Sequence, residues 1–260
     1  MSIQTAQLGS SGITVSRLGI GTGTNGWAKR SDQTALGLEG LANLLVEAHS
    51  LGVRFWDAAD QYGSHPHVAA ALRRVPREEV VITTKTTARR ERQAARDVDR
   101  FLKELGTDVL DLVLLHGLNQ ANWPSRYEGA MAALARAKEV GKVRAVGFSC
   151  HGLGALRRGV NDGWSDVVFV RINYDGTRMD GDLAEVTPVI EQLYEAGKGL
   201  YAMKVLGCGQ LKADVEKAFR FVLSLGTVHA LSIGMTSRNQ LRENVRMMEA
   251  LAPGYPLRGH

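Results

Sequence analysis

The chain has 260 residues, of which 44% are hydrophobic and 23% charged, and its formal net charge is +5. This composition excludes a disordered or fibrous protein, and the length suits a single α/β barrel domain. Two cysteines, Cys150 and Cys208, are too few for a four-thiolate metal site and indicate a reducing compartment.

The sequence argues against nucleic acid and membranes as partners. The basic residues are spread over many predicted helices and aromatic residues make up only 6%, which does not fit a nucleic-acid groove. The N-terminus lacks the charged-then-apolar pattern of a signal peptide, and no apolar run approaches the length of a bilayer span. A cytoplasmic protein with a small-molecule partner is therefore expected, and its oligomeric state is left open.

Short β-branched runs alternate with longer amphipathic segments along the whole chain. The predicted strands cover residues 17–21, 54–58, 80–84, 110–115, 143–148, 167–172, 199–203 and 228–233. The predicted helices cover residues 33–51, 67–74, 89–105, 125–140, 153–161, 181–196, 213–225 and 238–251. Eight strand–helix repeats without a midpoint linker predict a (β/α)8 TIM barrel, formed as a single domain by residues 1–260. Residues 7–15, with the turn Gly9-Ser10-Ser11-Gly12, are expected to form a hairpin over the barrel bottom.

Four polar residues lie at the ends of neighbouring predicted strands. Asp57 ends the second strand, with Tyr62 five residues later, Lys85 ends the third and His116 ends the fourth. Each alone has a structural explanation, as a loop cap, a solvated strand end or a core histidine. A buried lysine and aspartate at neighbouring positions are unusual unless paired, and barrels carry their functional groups at these strand ends. The set therefore predicts an active site.

Three stretches contain these four residues: Phe55-Trp56-Asp57-Ala58-Ala59-Asp60-Gln61-Tyr62-Gly63, Val81-Ile82-Thr83-Thr84-Lys85 and Asp111-Leu112-Val113-Leu114-Leu115-His116. Together they resemble the aldo-keto reductase superfamily, and the resemblance runs from about residue 7 to residue 251. The resemblance implies hydride transfer between a nicotinamide dinucleotide and a carbonyl or alcohol. Tyr62 would be the general acid/base, and Lys85, held by Asp57, would lower its pKa. His116 would orient the carbonyl as a neutral donor. The substrate pocket is assigned to three tryptophans, Trp27, Trp56 and Trp123.

The same resemblance places the nicotinamide near the ends of strands five and six. Ser149 would hold its carboxamide, Cys150 replaces the usual asparagine, and Tyr174 would stack on the ring. Arg171 and Asp175 depart from the family pattern, which leaves the carboxamide contacts open. The residues assigned to the nicotinamide and its ribose are Gly21, Thr22, Ser149, Cys150, Arg171 and Tyr174.

The loops after strands seven and eight resemble the family's pyrophosphate and adenosine sites. Glycine amides and Lys204 would bind the pyrophosphate, and the helix N-terminus at Thr236 and Ser237, with Arg238 as the cation, would bind a 2′-phosphate. Gly234 and Gln240 stand where many members carry Lys and Arg. NADP is favoured, with NAD as the alternative. The residues assigned are Lys204, Leu206, Gly207, Gly209, Gly234, Met235, Thr236, Arg238, Gln240, Glu243 and Asn244.

Four other interpretations compete with this one. Residues 21–26 fit a Gly-x-Gly-x-x-Gly motif, but no helix follows at once as a Rossmann fold requires. His65 and His67 lack a third ligand, so no metal is expected. A Schiff-base aldolase using Lys85 and a cofactor-binding regulatory barrel with little turnover remain alternative functions.

Overall fold

The computed structural model describes residues 3–259. Two short antiparallel strands, β1 (Thr5–Gln7) and β2 (Thr14–Ser16), open the chain. Eight parallel strands then close into a barrel in chain order, with the last strand pairing with the first. These strands are β3 Leu18–Gly21, β4 Phe55–Asp57, β5 Val81–Thr86, β6 Leu110–Leu118, β7 Val143–Cys150, β8 Val167–Arg171, β9 Gly199–Met203 and β10 Ala230–Gly234.

Eight helices surround the barrel, one after each barrel strand. They are α1 Gly37–Ser50, α2 His65–Leu72, α3 Glu91–Leu105, α4 Trp123–Glu139, α5 Leu153–Gly159, α6 Leu183–Glu195, α7 Val215–Ser224 and α8 Arg238–Leu251. The predicted (β/α)8 architecture is confirmed. Within residues 3–259, no helix combines the length and the apolar character that crossing a bilayer requires.

The helix boundaries follow from capping residues in the sequence. Ser237 begins α8 by accepting a hydrogen bond from the Gln240 amide, and Asp182 begins α6 in a reciprocal capping box. Gly106 ends α3 in the left-handed conformation, with φ of 67°, which a residue without a Cβ adopts at little cost. The main difference from prediction is at α1, whose first turn, Thr34–Leu36, is a separate 3-10 turn.

Alternation along the strands divides the buried residues into two sets. One set fills the barrel interior and includes Phe55, Leu112, Leu114 and Tyr201. The intervening strand residues pack outward against the helices. Because side chains alternate with a period of two, the last inward position of each strand faces the barrel mouth. These mouth residues are Gly21, Asp57, Lys85, His116, Ser149, Arg171, Met203 and Gly234.

The predicted hairpin is confirmed at the opposite end. Leu8, Ile13 and Val15 belong to the same buried cluster as the barrel interior, so they close its bottom. The Ser10 amide donates to the carbonyl of Gly197, which lies just before β9. The mouth is thereby left as the uncovered end of the barrel.

Candidate active site

A buried ion pair lies at the mouth between β4 and β5. Lys85 Nζ is 2.7 Å from Asp57 Oδ1 and also donates to the carbonyl of Ala58 at 2.8 Å. The hydroxyl of Tyr201 donates to the same Asp57 oxygen at 3.2 Å. Neither charged side chain has appreciable solvent exposure, with 0% for Lys85 and 4% for Asp57. Burial raises the pKa of Asp57 and lowers that of Lys85, and each partner's charge opposes the effect of burial on the other.

Tyr62 lies directly beside this pair. It ends a 3-10 turn, Asp60–Tyr62, that follows β4, and its ring centroid is 4.8 Å from Lys85 Nζ. Its hydroxyl is 3.5 Å from Nε2 of His116, and the two rings are nearly perpendicular at 86°. The structure thus brings together the four residues that the strand ends predicted.

The pKa of Tyr62 departs from the sequence prediction. Burial, and then the charge of Asp57, raise this pKa well above its usual value, whereas the prediction was that Lys85 would lower it. The ammonium of Lys85 already has Asp57 and Ala58 as partners and faces the ring. Tyr62 is therefore a neutral phenol at neutral pH, with a proton to donate.

His116 is also neutral. Burial, followed by the charge of Lys85, holds the pKa of His116 well below its usual value. Its Nδ1 is buried and has no hydrogen-bond partner within the protein. A neutral imidazole next to a neutral phenol is suited to binding an uncharged carbonyl oxygen.

The loop between β3 and α1 packs against the face of Tyr62. A Cβ added to Gly23 would overlap the ring of Tyr62, and one added to Gly26 would lie 2.5 Å from it. Lys29 of the same loop pairs with Asp60, and its amide donates to the carbonyl of Gln61 at 2.8 Å. This loop, residues 22–36, therefore fixes the catalytic turn and leaves Tyr62 only 8% exposed.

One elongated cleft, of about 440 Å³, leads from Tyr62 and Asp57 across the mouth to α8. Phe169 and Met203 line it near the ion pair, and the loop after β9 forms one wall. Nine of the residues predicted to bind a cofactor line this cleft: Gly21, Lys204, Leu206, Gly209, Gly234, Thr236, Gln240, Glu243 and Asn244.

The sequence pattern of the aldo/keto reductase family matches residues 17–222, which is most of the chain. The chain belongs to the aldo/keto reductase family. Its members are oxidoreductases that act on small carbonyl compounds with nicotinamide cofactors. The match spans the strands that carry Asp57, Lys85 and His116.

Individual relatives are distant. The NADH-specific methylglyoxal reductase of Escherichia coli is 26% identical over 203 residues, which are 68% of this chain and 61% of that protein. D-threo-aldose 1-dehydrogenase from a Pseudomonas species is 26% identical over 241 residues, 80% of this chain and 71% of that protein. The chain spans less than two thirds of the first curated relatives it matches, since an aldo-keto reductase of Mycobacterium avium is covered over only 42% of its length.

Solved structures extend the likeness over the whole barrel. A putative aldo-keto reductase from Pseudomonas aeruginosa superimposes with a TM-score of 0.81 at 27% identity, covering 96% of each chain. The likeness therefore covers nearly the whole length of both chains.

Several residues that the sequence assigned to the site lie away from the cleft in this aldo/keto reductase. Trp56 is fully buried in the helix layer, where its indole N–H donates to Val53, and Trp123 packs on Phe148 behind the mouth. Neither lines the cleft. Trp27 is 66% exposed on the loop that covers Tyr62, so its place in a substrate pocket stays a prediction.

Cys150 and Tyr174, which the sequence assigned to the nicotinamide, do not line the cleft either. Because Ser149 points into the barrel, Cys150 points out of it and is fully buried. The ring of Tyr174 packs against the helix layer, with Lys217 Nζ 4.2 Å above it, and does not line the cleft. Thr22 and Met235 are fully buried as well, and neither lines the cleft. Gly207 lies in a 3-10 turn beside the cleft.

Arg171 and Ser149 occupy the mouth as the alternation requires. Arg171 pairs with the buried carboxylate of Asp180 at 3.3 Å, and Ser149 Oγ accepts a hydrogen bond from the Gly117 amide at 2.8 Å. Burial, and then the charge of Arg171, lower the pKa of nearby His151 to about 3.

Sequence reasoning missed several residues of the site, including Tyr201, Met203 and Gln33. Tyr201 donates to Asp57, Met203 lines the inner part of the cleft, and Gln33 lines the cleft near α8. Counting the alternation of β9 outward from its buried middle would have found Tyr201 and Met203. Gln33 carries no such signal, because a loop brings it to the mouth.

A cluster of possible metal ligands lies behind the catalytic turn: Asp60, His65 and Glu104. Arg100 pairs with Asp60 at 2.7 Å and with Glu104 at 2.8 Å, and Glu104 bonds His65 at 2.6 Å. A guanidinium thus already neutralises these carboxylates, and the cluster braces the turn that carries Tyr62.

Proposed function

We propose that the chain reduces an aldehyde or ketone to the alcohol, or catalyses the reverse reaction, with a nicotinamide dinucleotide lying in the cleft. The observation that carries the proposal is the position of Tyr62. Its hydroxyl lies at the inner end of the cleft, 3.5 Å from a neutral histidine and beside a buried ammonium. This is where an oxyanion would form and take up a proton.

Each of the four polar residues has its own role in the proposed reaction. Tyr62 donates its proton to the carbonyl oxygen as negative charge develops there, and His116 positions that oxygen. The ammonium of Lys85, 4.8 Å from the centroid of the Tyr62 ring, offsets part of the negative charge of the phenolate left behind, while burial and Asp57 keep the pKa of Tyr62 raised. Asp57 and Ala58 keep Lys85 charged and fixed, so Lys85 stabilises the transition state without leaving its place.

The cleft suits a dinucleotide in its shape and its donors. A bound nicotinamide would supply the hydride near Tyr62. Gly209, with φ of 91° and no atom within 4 Å of an added Cβ, leaves room for a phosphate beside Lys204. Thr236, Gln240, Glu243 and Asn244 would hold the adenosine at the N-terminal end of α8.

NADP, favoured by the sequence, rests on the helix N-terminus at Thr236 and Ser237 and on Arg238. The relatives differ in their cofactors: the Escherichia coli reductase is NADH-specific, and a yeast relative is an NADP-dependent glycerol 2-dehydrogenase. The location in the cytoplasm and the single domain spanning residues 1–260 stay predictions.

The aldolase alternative is less well supported by the geometry. A Schiff base needs an amine that can reach the substrate, whereas Lys85 is fully buried and donates to Asp57 and Ala58. The regulatory alternative differs from the proposal only in turnover, so kinetics separate the two.

Replacement of Tyr62 by phenylalanine tests the proposed role directly. The Tyr62→Phe variant should lose about 100- to 10,000-fold in kcat for aldehyde reduction, because the proton donor is gone. Dinucleotide affinity should change less than about twofold, since the hydroxyl acts mainly in the transition state. Tyr255→Phe, at the opposite end of the barrel, is the matched control. Retention of more than about half of the wild-type turnover would reject Tyr62 as the acid.

A further inference from the structure

The end of the cleft beside α8 determines which dinucleotide fits, so this inference rests on the proposed function. Two elements meet there: the loop of residues 22–36, through Asp32 and Gln33, and the segment from Gly234 into α8. A 2′-phosphate on the adenosine ribose would need cationic or amide donors at this place.

The cation that the sequence assigns to this phosphate has another partner. Arg238 Nε is 3.0 Å from Oε2 of Glu47 on α1, and Arg242 Nη2 is 2.7 Å from Oε1 of the same carboxylate. Arg238 is 62% exposed in its side chain and does not line the cleft. Glu47 therefore holds both guanidinium groups against α1.

The donors at the start of α8 are also occupied. Gln240 Oε1 accepts from the amide and the hydroxyl of Thr236, at 2.8 and 3.3 Å. Ser237 Oγ in turn accepts from the Gln240 amide at 3.2 Å. The helix caps itself, so an anion would have to displace these bonds.

Gly234 cannot be replaced by a lysine or an arginine, because neighbouring side chains fill the space that a larger residue would need. A Cβ there would overlap Thr24 Oγ1 and lie 2.9 Å from Gln33 Nε2. Gln33 is 1% exposed and fixed by two bonds to Thr24, from the Thr24 amide at 2.9 Å and to its hydroxyl at 3.0 Å. The loop thus occupies the space that a lysine at position 234 would need.

The charged side chains that line this end of the cleft are acidic. Asp32 and Glu243 both line it, whereas the two cations of the described cleft lining, Lys204 and Lys212, belong to the loop after β9. Carboxylates accept hydrogen bonds from ribose hydroxyls and repel a phosphate dianion. We infer that this site selects NAD(H) over NADP(H). Asp32 and Glu243 accept hydrogen bonds from the unphosphorylated ribose, Gln33 holds the loop against Gly234, and Glu47 keeps Arg238 away from the cleft.

Binding of the two reduced dinucleotides to the wild-type protein, followed by protein fluorescence without substrate, tests the inference. NADH should bind at least about tenfold more tightly than NADPH. Glu47→Gln, which frees two guanidinium groups, should improve NADPH binding severalfold with little change for NADH. Asp32→Asn, which removes a repelling charge and a ribose acceptor, should improve NADPH binding and weaken NADH binding. The gain in Glu47→Gln should shrink at high salt, because exposed charges are screened.

Matched controls separate this inference from its alternatives. Glu39→Gln, an exposed carboxylate on the same helix α1, should change neither affinity. Arg238→Ala should also leave NADPH binding unchanged, whereas a phosphate-binding Arg238 would make it several times weaker. Wild-type protein that binds NADPH as tightly as NADH would overturn the inference and leave the proposed reductase intact. Failure to bind either dinucleotide would overturn both.

Discussion

The ion pair of Asp57 and Lys85 is the residue-scale feature on which the proposed chemistry depends. It is enclosed by β4 and β5, by the hydroxyl of Tyr201 and by the ring of Tyr62. A charge pair of this kind is valuable for placing an ammonium rather than for stability, since desolvation offsets much of the attraction. Removing one partner, however, leaves the other charge buried alone.

The contribution of this pair to the free energy of unfolding can be predicted. Lys85→Met should lower the free energy of unfolding by about 3–5 kcal/mol, because Asp57 loses its counter-charge. Asp57→Asn should destabilise for the same reason. The double variant should be more stable than the sum of the two losses implies, since no buried charge remains. Urea unfolding measures all three, and strictly additive losses would show that the two charges do not interact.

The sequence predicted these residues because polar side chains at strand ends stand out against apolar runs. It failed for Trp56 and Cys150, which lie next in sequence to inward residues but face the helices. These assignments are off by one position in the strand, and a shift of one position moves a side chain to the other face. Tyr201 went unnoticed because an aromatic inside an apolar strand carries no polar signal.

At the scale of elements, the loop of residues 22–36 contacts both Tyr62 and the end of the cleft beside α8. One part of it packs glycine backbone on the ring of Tyr62, and another part places Gln33 beside Gly234. Its ion pair between Lys29 and Asp60 joins it to the catalytic turn. Any displacement of this loop therefore moves the acid relative to the cleft.

A methyl group added at Gly23, between the loop and the ring of Tyr62, tests whether the loop holds Tyr62 in place. Gly23→Ala should lower kcat/KM by at least about tenfold, because the added Cβ overlaps the Tyr62 ring and a small misplacement of a catalytic group is costly. The melting temperature should change little, since the strain falls on an exposed loop. Gly254→Ala, which places its methyl in open space, is the control. Full activity in Gly23→Ala would mean that the loop does not hold Tyr62.

The bounds of helices and strands were predictable where residues within or next to the element determine them. The helix α8 and the strand β9 have the predicted bounds, because a serine cap and an apolar run bounded by glycine mark them locally. The loop of residues 22–36 was not predictable, since its conformation depends on contacts with Tyr62 and Gly234, which are distant in sequence.

At the scale of the whole molecule, barrel closure makes one site from distant parts of the chain. β3 pairs with both β4 and β10, so the loop after β3 lies between the catalytic tyrosine and the adenosine end of the cleft. The eight strand–helix repeats were sufficient to predict this closure. The pairing of Arg238 with Glu47 was not, because it joins helices that only the closed barrel brings together.

Transfer of deuterium from the dinucleotide to a carbonyl tests the central claim most directly. Wild-type protein is incubated with a small aldehyde and NADH or NADPH deuterated at C4 of the nicotinamide, and the alcohol is analysed by mass spectrometry. The account predicts deuterium on the carbinol carbon with wild-type protein, and at least about a hundredfold slower formation of the labelled alcohol with Tyr62→Phe. A protein that binds the dinucleotide but yields no labelled alcohol from a panel of aldehydes and ketones would contradict it.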